Sequence, residues 1–75
     1  MKATDLKLNQ TFSIENTILM PIVKTYLVVQ KTPQSTIAVL QSAYIRTMGQ
    51  PIQLNVENLS KTIILEPNEI VKPLN

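Results

Sequence analysis

The sequence contains no cysteine and no histidine, and it contains a single glycine. The absence of cysteine excludes disulfides and thiol chemistry, and it suits a reducing cytoplasm. Without histidine or cysteine, the common nucleophile–base pairs and the nitrogen and sulfur metal ligands are also missing. One glycine cannot form a glycine-rich phosphate loop. We therefore expect a protein that is not an enzyme and that has no metal site and no cofactor.

The carboxylates do not change this expectation. Of the five acidic residues, only Glu66 and Glu69 are close together in the sequence, in a stretch that we expect to be an exposed turn. A pair of carboxylates that acts as acid and base needs an apolar pocket that raises one pKa. We expect no such pocket around an exposed turn.

Long hydrophobic runs are also absent. No run approaches the roughly 20 apolar residues of a membrane-spanning helix, and the charged start MKATDLK lacks the apolar part of a secretory signal. We expect a soluble protein of the cytoplasm, or of the host cytoplasm if a phage encodes it. Its 75 residues predict one small domain, residues 1–75, near the lower size limit for folding without disulfides or metals.

What is present is alternation of the kind found in β-strands. The stretch TYLVVQKTPQSTIAVLQ, residues 25–41, predicts a β-hairpin that turns at Thr32-Pro33-Gln34-Ser35. Pro33 favours the first central position of a turn, and the flanking hydroxyls can bond to local backbone groups. If the loop has two residues, Val28 faces Val39 and Leu27 faces Leu40 on the other side. A loop longer by one residue would exchange the faces of one strand.

Further strands follow from the same period of two. We predict strands at 11–15 and 52–57, a short strand at 62–65, one 3₁₀ turn at 66–69 and a closing edge strand at 70–74 that contains a proline. The single glycine, Gly49, is expected in a turn where it is free to take a positive φ. The predicted class is all-β, with about five to six antiparallel strands and these core residues: Phe12, Ile14, Val28, Val39, Ile52, Leu54 and Val56.

The segment ILMPIV, residues 18–23, has two interpretations. Pro21 cannot donate a hydrogen bond to a sheet, so the segment is either an edge strand with a proline bulge that leads into the hairpin, or an apolar loop offered to a partner. The hairpin is apolar on both faces, so we expect a core on one side and another segment, loop or subunit on the other. The predicted interface contains Ile18, Leu19, Met20, Pro21, Ile22, Val23, Leu27, Val29 and Leu40.

The order of the elements resembles an SH3-like small barrel. The opening DLKLNQTFSIENT, followed by TYLVVQK, is similar in cadence to the first strands of the amino-terminal barrel of elongation factor P. The chain also resembles small phage and mobile-element barrels that end like LEPNEIVKPL. The resemblance implies one barrel with a 3₁₀ turn before its last strand. It carries over no functional residue, because elongation factor P has two further domains and a modified basic loop tip, where this chain has Thr32-Pro33-Gln34-Ser35.

Three functions are compatible with these observations. The leading hypothesis is a binding module that contacts a partner protein, as an accessory protein of a phage or mobile element and with self-association. A second is a barrel that binds RNA or single-stranded DNA; it needs the seven basic residues, which are scattered along the sequence, to converge. A third is an oligomer that sequesters a small molecule. The candidates for nucleic-acid contact are Lys24, Tyr26, Lys31, Tyr44 and Arg46.

Overall fold

The computed structural model describes residues 1–16 and 21–74. Within them the chain forms one antiparallel sheet of six strands, which confirms the all-β prediction. The strands are β1 (Thr11–Asn16), β2 (Ile22–Lys31), β3 (Thr36–Ile45), β4 (Ile52–Gln53), β5 (Thr62–Leu65) and β6 (Lys72–Pro73). The helical segments among the described residues are two 3₁₀ turns, Ala3–Asp5 and Val56–Asn58.

The sheet is organised around β3. One edge of β3 pairs with β2, and its other edge pairs with β5 through Thr36–Val39 and with β4 through Tyr44–Ile45. On the far side of β2, the order continues through β1 to β6. The sheet is open in the described part of the chain, so the expected closed barrel is not established by it.

The predicted hairpin turn is confirmed. The backbone N–H of Thr32 donates to the carbonyl of Ser35 at 2.9 Å. The Thr32 hydroxyl oxygen accepts from the N–H groups of Gln34 and Ser35 at 3.2 and 3.0 Å. Local hydrogen bonds of this kind fix a short turn without help from the rest of the fold.

The predicted register holds at both ends of the hairpin but fails in its middle. Gln30 faces Ile37 as expected, whereas Val28 faces Ala38, because Val29 is an extra residue in β2. A second bulge, at Gln41 of β3, restores the register beyond it. Each bulge exchanges inward and outward positions. Leu40, predicted to face outward, is therefore 8% exposed and in the core, and Val39, predicted to be in the core, lies on the opposite face.

The core covers one face of the sheet, which we call the inner face. The rings of Phe12 and Tyr26 stack there with centroids 5.5 Å apart. Phe12 and Val28 are buried as predicted, and Ile14 and Val56 pack against the core from its rim. The buried cluster consists of Ala3, Leu6, Phe12, Tyr26, Val28, Ala38, Leu40, Leu65 and Val71.

The predicted strand at 52–57 is shorter than expected. It ends at Gln53, and the side chain of Asn55 accepts a hydrogen bond from the N–H of Glu57 at 3.0 Å, which caps the 3₁₀ turn Val56–Asn58. As a result Ile52 is 54% exposed rather than buried, and Leu54 is only half-buried. A capping side chain outweighed the alternating pattern here.

The start of the chain packs against its end. The N–H groups of Ala3 and Thr4 donate to the carbonyls of Glu69 and Pro67 at 2.8 and 3.1 Å. Residues 66–69 form a hydrogen-bonded turn rather than the predicted 3₁₀ turn. Positive φ occurs at Asn9 (67°) and not at Gly49. Asparagine is one of the few residues other than glycine that adopt this region.

Candidate functional site on the outer sheet face

The outer face of the sheet carries a row of polar side chains. Residues opposite each other in neighbouring strands point to the same side. Lys72 of β6 faces Ser13 of β1, Ser13 faces Thr25 of β2, and Thr25 faces Ser42 of β3. Three hydroxyl groups and one ammonium group therefore lie in line across four strands.

The next row contains the only tyrosine on this face of the described sheet. Glu15 faces Val23, and Val23 faces Tyr44. Side chains from both rows line a cleft of about 520 Å³. Its floor includes Ser13, Val23 and Thr25, and its walls include Tyr44, Arg46 and Lys72.

The charges of the cleft are unevenly satisfied. Arg46 forms an ion pair with Glu15 at the rim of the cleft. Both side chains are accessible to solvent, so the pair contributes about 0–1 kcal/mol. Lys72 has no carboxylate partner in residues 1–16 and 21–74. The cleft therefore has one uncompensated positive charge.

The hydroxyl groups of the cleft are also unsatisfied. Ser13 is only 8% exposed. Within the described chain, the side chains of Ser13, Thr25 and Tyr44 have no hydrogen-bond partner. Among the described residues, every fully buried side-chain oxygen or nitrogen has a hydrogen-bond partner. Because the Ser13 hydroxyl has none, it must reach the accessible surface of the cleft. These groups are free to bond to a ligand.

The other half of the outer face is apolar. Leu27 faces Val39 across β2 and β3, and Ile37 faces Ile64 across β3 and β5. We call Leu27, Ile37, Val39 and Ile64 the apolar patch. Ile64 is 66% exposed and the other three are half-buried. No charged side chain lies within this patch.

The predicted interface residues are divided among several surroundings. Ile18, Leu19 and Met20 lie outside the described residues. Pro21 and Val29 are exposed, and Ile22 is half-buried at the start of β2. Val23 lies in the floor of the cleft, Leu27 in the apolar patch and Leu40 in the core.

Two of the nucleic-acid candidates meet in the cleft, namely Tyr44 and Arg46. Tyr26 does not, because it is stacked on Phe12 in the core. Burial raises the pKa of the Tyr26 hydroxyl above its usual value of 10.0. Lys24 is on the inner face, where it pairs with Ile14.

Lys31 has a structural partner at the other end of the hairpin. Its ammonium donates to the backbone carbonyls of Ala3, Thr4 and Leu6 at 3.2, 3.0 and 2.6 Å. These carbonyls belong to the first 3₁₀ turn and the residue that ends it. Lys31 thus ties the N-terminal segment to the hairpin. The five nucleic-acid candidates consequently form no single platform.

Sequence reasoning missed Lys72, Ser13 and Thr25 as site residues. The alternation of β1 separates Ser13 from Phe12 and Ile14, but nothing local indicates that β6 and β2 flank this strand. No group of three or more acidic residues that could hold a metal ion occurs in the described residues. The described part also has no helix long and apolar enough to cross a membrane.

Comparison of the chain with family models, with curated proteins and with solved structures finds no match. The class that the structure defines is an all-β protein, in which the described residues form an open antiparallel sheet with a buried cluster on one face.

Proposed function

We propose that this protein is a non-enzymatic binding module that acts through protein–protein contact, and that its first partner is a second copy of itself. The observation that carries the proposal is the apolar patch, which lies uncovered on the outer face beside the strands of the core. Contiguous exposed apolar surface is typical of interaction sites.

The exposed area supports a second copy as the occupant. The chain exposes 5289 Å², whereas a monomeric protein of its mass, 8.4 kDa, ordinarily exposes about 4600 Å². The excess is close to the roughly 800 Å² that each partner buries in a standard interface. Burying an area of this size in a dimer would bring the chain to an ordinary exposed area per subunit.

The chemistry of the patch also favours a symmetric contact. Because the patch has no charge, two copies can meet face to face without burying an unpaired ion. Its rim contains Gln30 and Thr62, which face Ile37 and Val39 across the sheet. These polar groups suit the edge of an interface, which is commonly polar.

The finer fold that we propose is a small SH3-like barrel. Its support is the backbone pairing that continues beyond β6. Lys2 bridges to Ile70, and the N–H of Val71 donates to the carbonyl of Met1 at 2.8 Å. The N-terminal segment thereby extends the sheet past its last strand and towards the hairpin turn, where Lys31 holds it.

The test of self-association is Ile64→Asp. Light scattering of the wild type across a micromolar concentration series is expected to give a dimer mass. Ile64→Asp should give a monomer with an unchanged circular dichroism spectrum, because a charge in the contact is costly to desolvate. Ile18→Asp combined with Met20→Asp tests the sequence-predicted segment in the same way, with the same expected loss.

Met48→Asp is the matched control, since Met48 is fully exposed in a loop outside the patch. It should stay dimeric. A wild-type mass that is monomeric throughout the series would contradict the proposal. So would an Ile64→Asp variant that dimerises as well as Met48→Asp.

A further inference from the structure

We propose that the cleft on the outer face binds a nucleotide, with Lys72 at the phosphate, Ser13 and Thr25 at the sugar, and Tyr44 at the base. This inference is independent of self-association, because the apolar patch residues do not line the cleft.

The cleft contains the positive charge of Lys72. Lys72 is the one cation of the cleft without a carboxylate partner among the described residues, since Arg46 is engaged by Glu15. An anionic group beside Lys72 would be attracted to it. Lysine is a common phosphate ligand. Ser13 lies directly opposite Lys72 on β1, next to the position proposed for the phosphate.

The hydroxyl group of Ser13 is available to a ligand. Ser13 is more than nine-tenths buried, and its hydroxyl has no partner in the described chain. The hydroxyl reaches the surface of the cleft, so a ligand there can bond to it in place of water. Thr25, which is half-buried, lies opposite Ser13 on the next strand. A ligand with several hydroxyl or ether oxygens, such as a ribose, matches these adjacent groups.

The volume of the cleft and the ring of Tyr44 fit a ligand larger than a single anion. A volume of about 520 Å³ is in the usual range for small-molecule sites. Neighbouring strands lie about 4.8 Å apart, so the distance from β6 to β3 is about 14 Å. A free phosphate or a single carboxylate cannot span that distance. Tyr44 lies on β3, at the opposite side of the cleft from Lys72, and a planar base can contact its ring there.

The test is a titration of the ¹⁵N-labelled protein with uridine 5′-monophosphate, followed by two-dimensional NMR. We expect chemical-shift changes centred on Ser13, Thr25, Tyr44 and Lys72. Uridine lacks the phosphate and ribose 5-phosphate lacks the base, so each should bind at least about tenfold more weakly. Shifts that are absent up to about 10 mM nucleotide, a limit weaker than ordinary ligand affinity, would overturn the proposal.

Variants assign the contacts. Lys72→Gln should weaken nucleotide binding about tenfold, the usual loss for one charge-assisted hydrogen bond, and Ser13→Ala should also weaken it. Lys61→Gln removes an exposed lysine outside the cleft and should leave binding unchanged. Equal losses in Lys72→Gln and Lys61→Gln would overturn the site. Equal binding of ribose 5-phosphate and the nucleotide would overturn the role of Tyr44.

The source of the nucleotide is tested by competition. A short single-stranded oligouridylate that displaces uridine 5′-monophosphate from the cleft identifies nucleic acid as the source. Retention of the nucleotide in the presence of the oligomer identifies a free nucleotide. A third outcome, displacement by glutamate at the same concentration, would show a nonspecific anion site and overturn the proposal.

Discussion

The two faces of one sheet differ although the same strands build them. On the inner face, Phe12, Tyr26 and Val28 are buried under the N-terminal segment and the second 3₁₀ turn. On the outer face, the alternate residues Ser13 and Thr25 line the cleft and Leu27 lies in the apolar patch. Alternating residues define the two faces of the sheet. The packing of the N-terminal segment and the second 3₁₀ turn decides which face becomes the core.

The lysines on the two faces show the same difference. On the inner side, Lys31 is satisfied by three backbone carbonyls and therefore stabilises the fold. On the outer side, Lys72 has no carboxylate partner in the described residues. A charge that the fold has satisfied is structural, whereas an unsatisfied charge in a cleft is available for binding.

The largest expected effect comes from the inner face. Phe12→Ala should lower the free energy of unfolding by about 3–5 kcal/mol, because it removes a fully buried ring that stacks on Tyr26. This is a large part of the stability of a small domain. The matched change on the outer face, Ile64→Ala, should cost no more than about 0.5 kcal/mol in the monomer. Urea unfolding at low protein concentration measures both, and similar losses would contradict the difference in burial between the two faces.

A smaller effect is expected from the charge that holds the N-terminal segment. Lys31→Met should lower the free energy of unfolding by about 1.5–3 kcal/mol, because hydrogen bonds from a charged donor are lost and carbonyls lose a partner. Amide exchange in residues 3–6 should accelerate.

Lys72→Met serves as the control for Lys31→Met. It should change the free energy of unfolding by less than about 0.5 kcal/mol, as is usual for surface substitutions. If Lys72→Met destabilises the protein as much as Lys31→Met, the distinction between structural and available lysines is wrong.

The smallest effect concerns Tyr26 and appears only at alkaline pH. Burial raises the pKa of this hydroxyl in the folded state above its usual value of 10.0. Above that value the unfolded chain loses the proton first, so it binds fewer protons and the stability falls as pH rises towards the folded-state pKa. Below it the contribution is fully present.

Tyr26→Phe should therefore change stability by less than about 0.5 kcal/mol at pH 7, because the hydroxyl has no partner among the described residues. The variant should lose less stability than the wild type between neutral and alkaline pH. Parallel unfolding curves for the two proteins across that range would contradict the assignment.

The sequence by itself determined the features whose causes are local. The turn at residues 32–35 depends on Pro33 and on hydrogen bonds within four residues, and the predicted strands at 11–15 and 62–65 correspond to β1 and β5. The absence of cysteine and histidine is read directly from the sequence.

Only the tertiary structure decided the rest. The bulges at Val29 and Gln41 exchanged Val39 and Leu40 between faces, because one extra residue reverses a period of two. The order of the strands in the sheet also decided which residues line the cleft. Lys72 is far from Ser13 and Thr25 in the sequence, and pairing with β1 brings it beside them. Hydrogen bonds between distant strands carry no local signal, so the residues that they bring together cannot be identified before the fold is known.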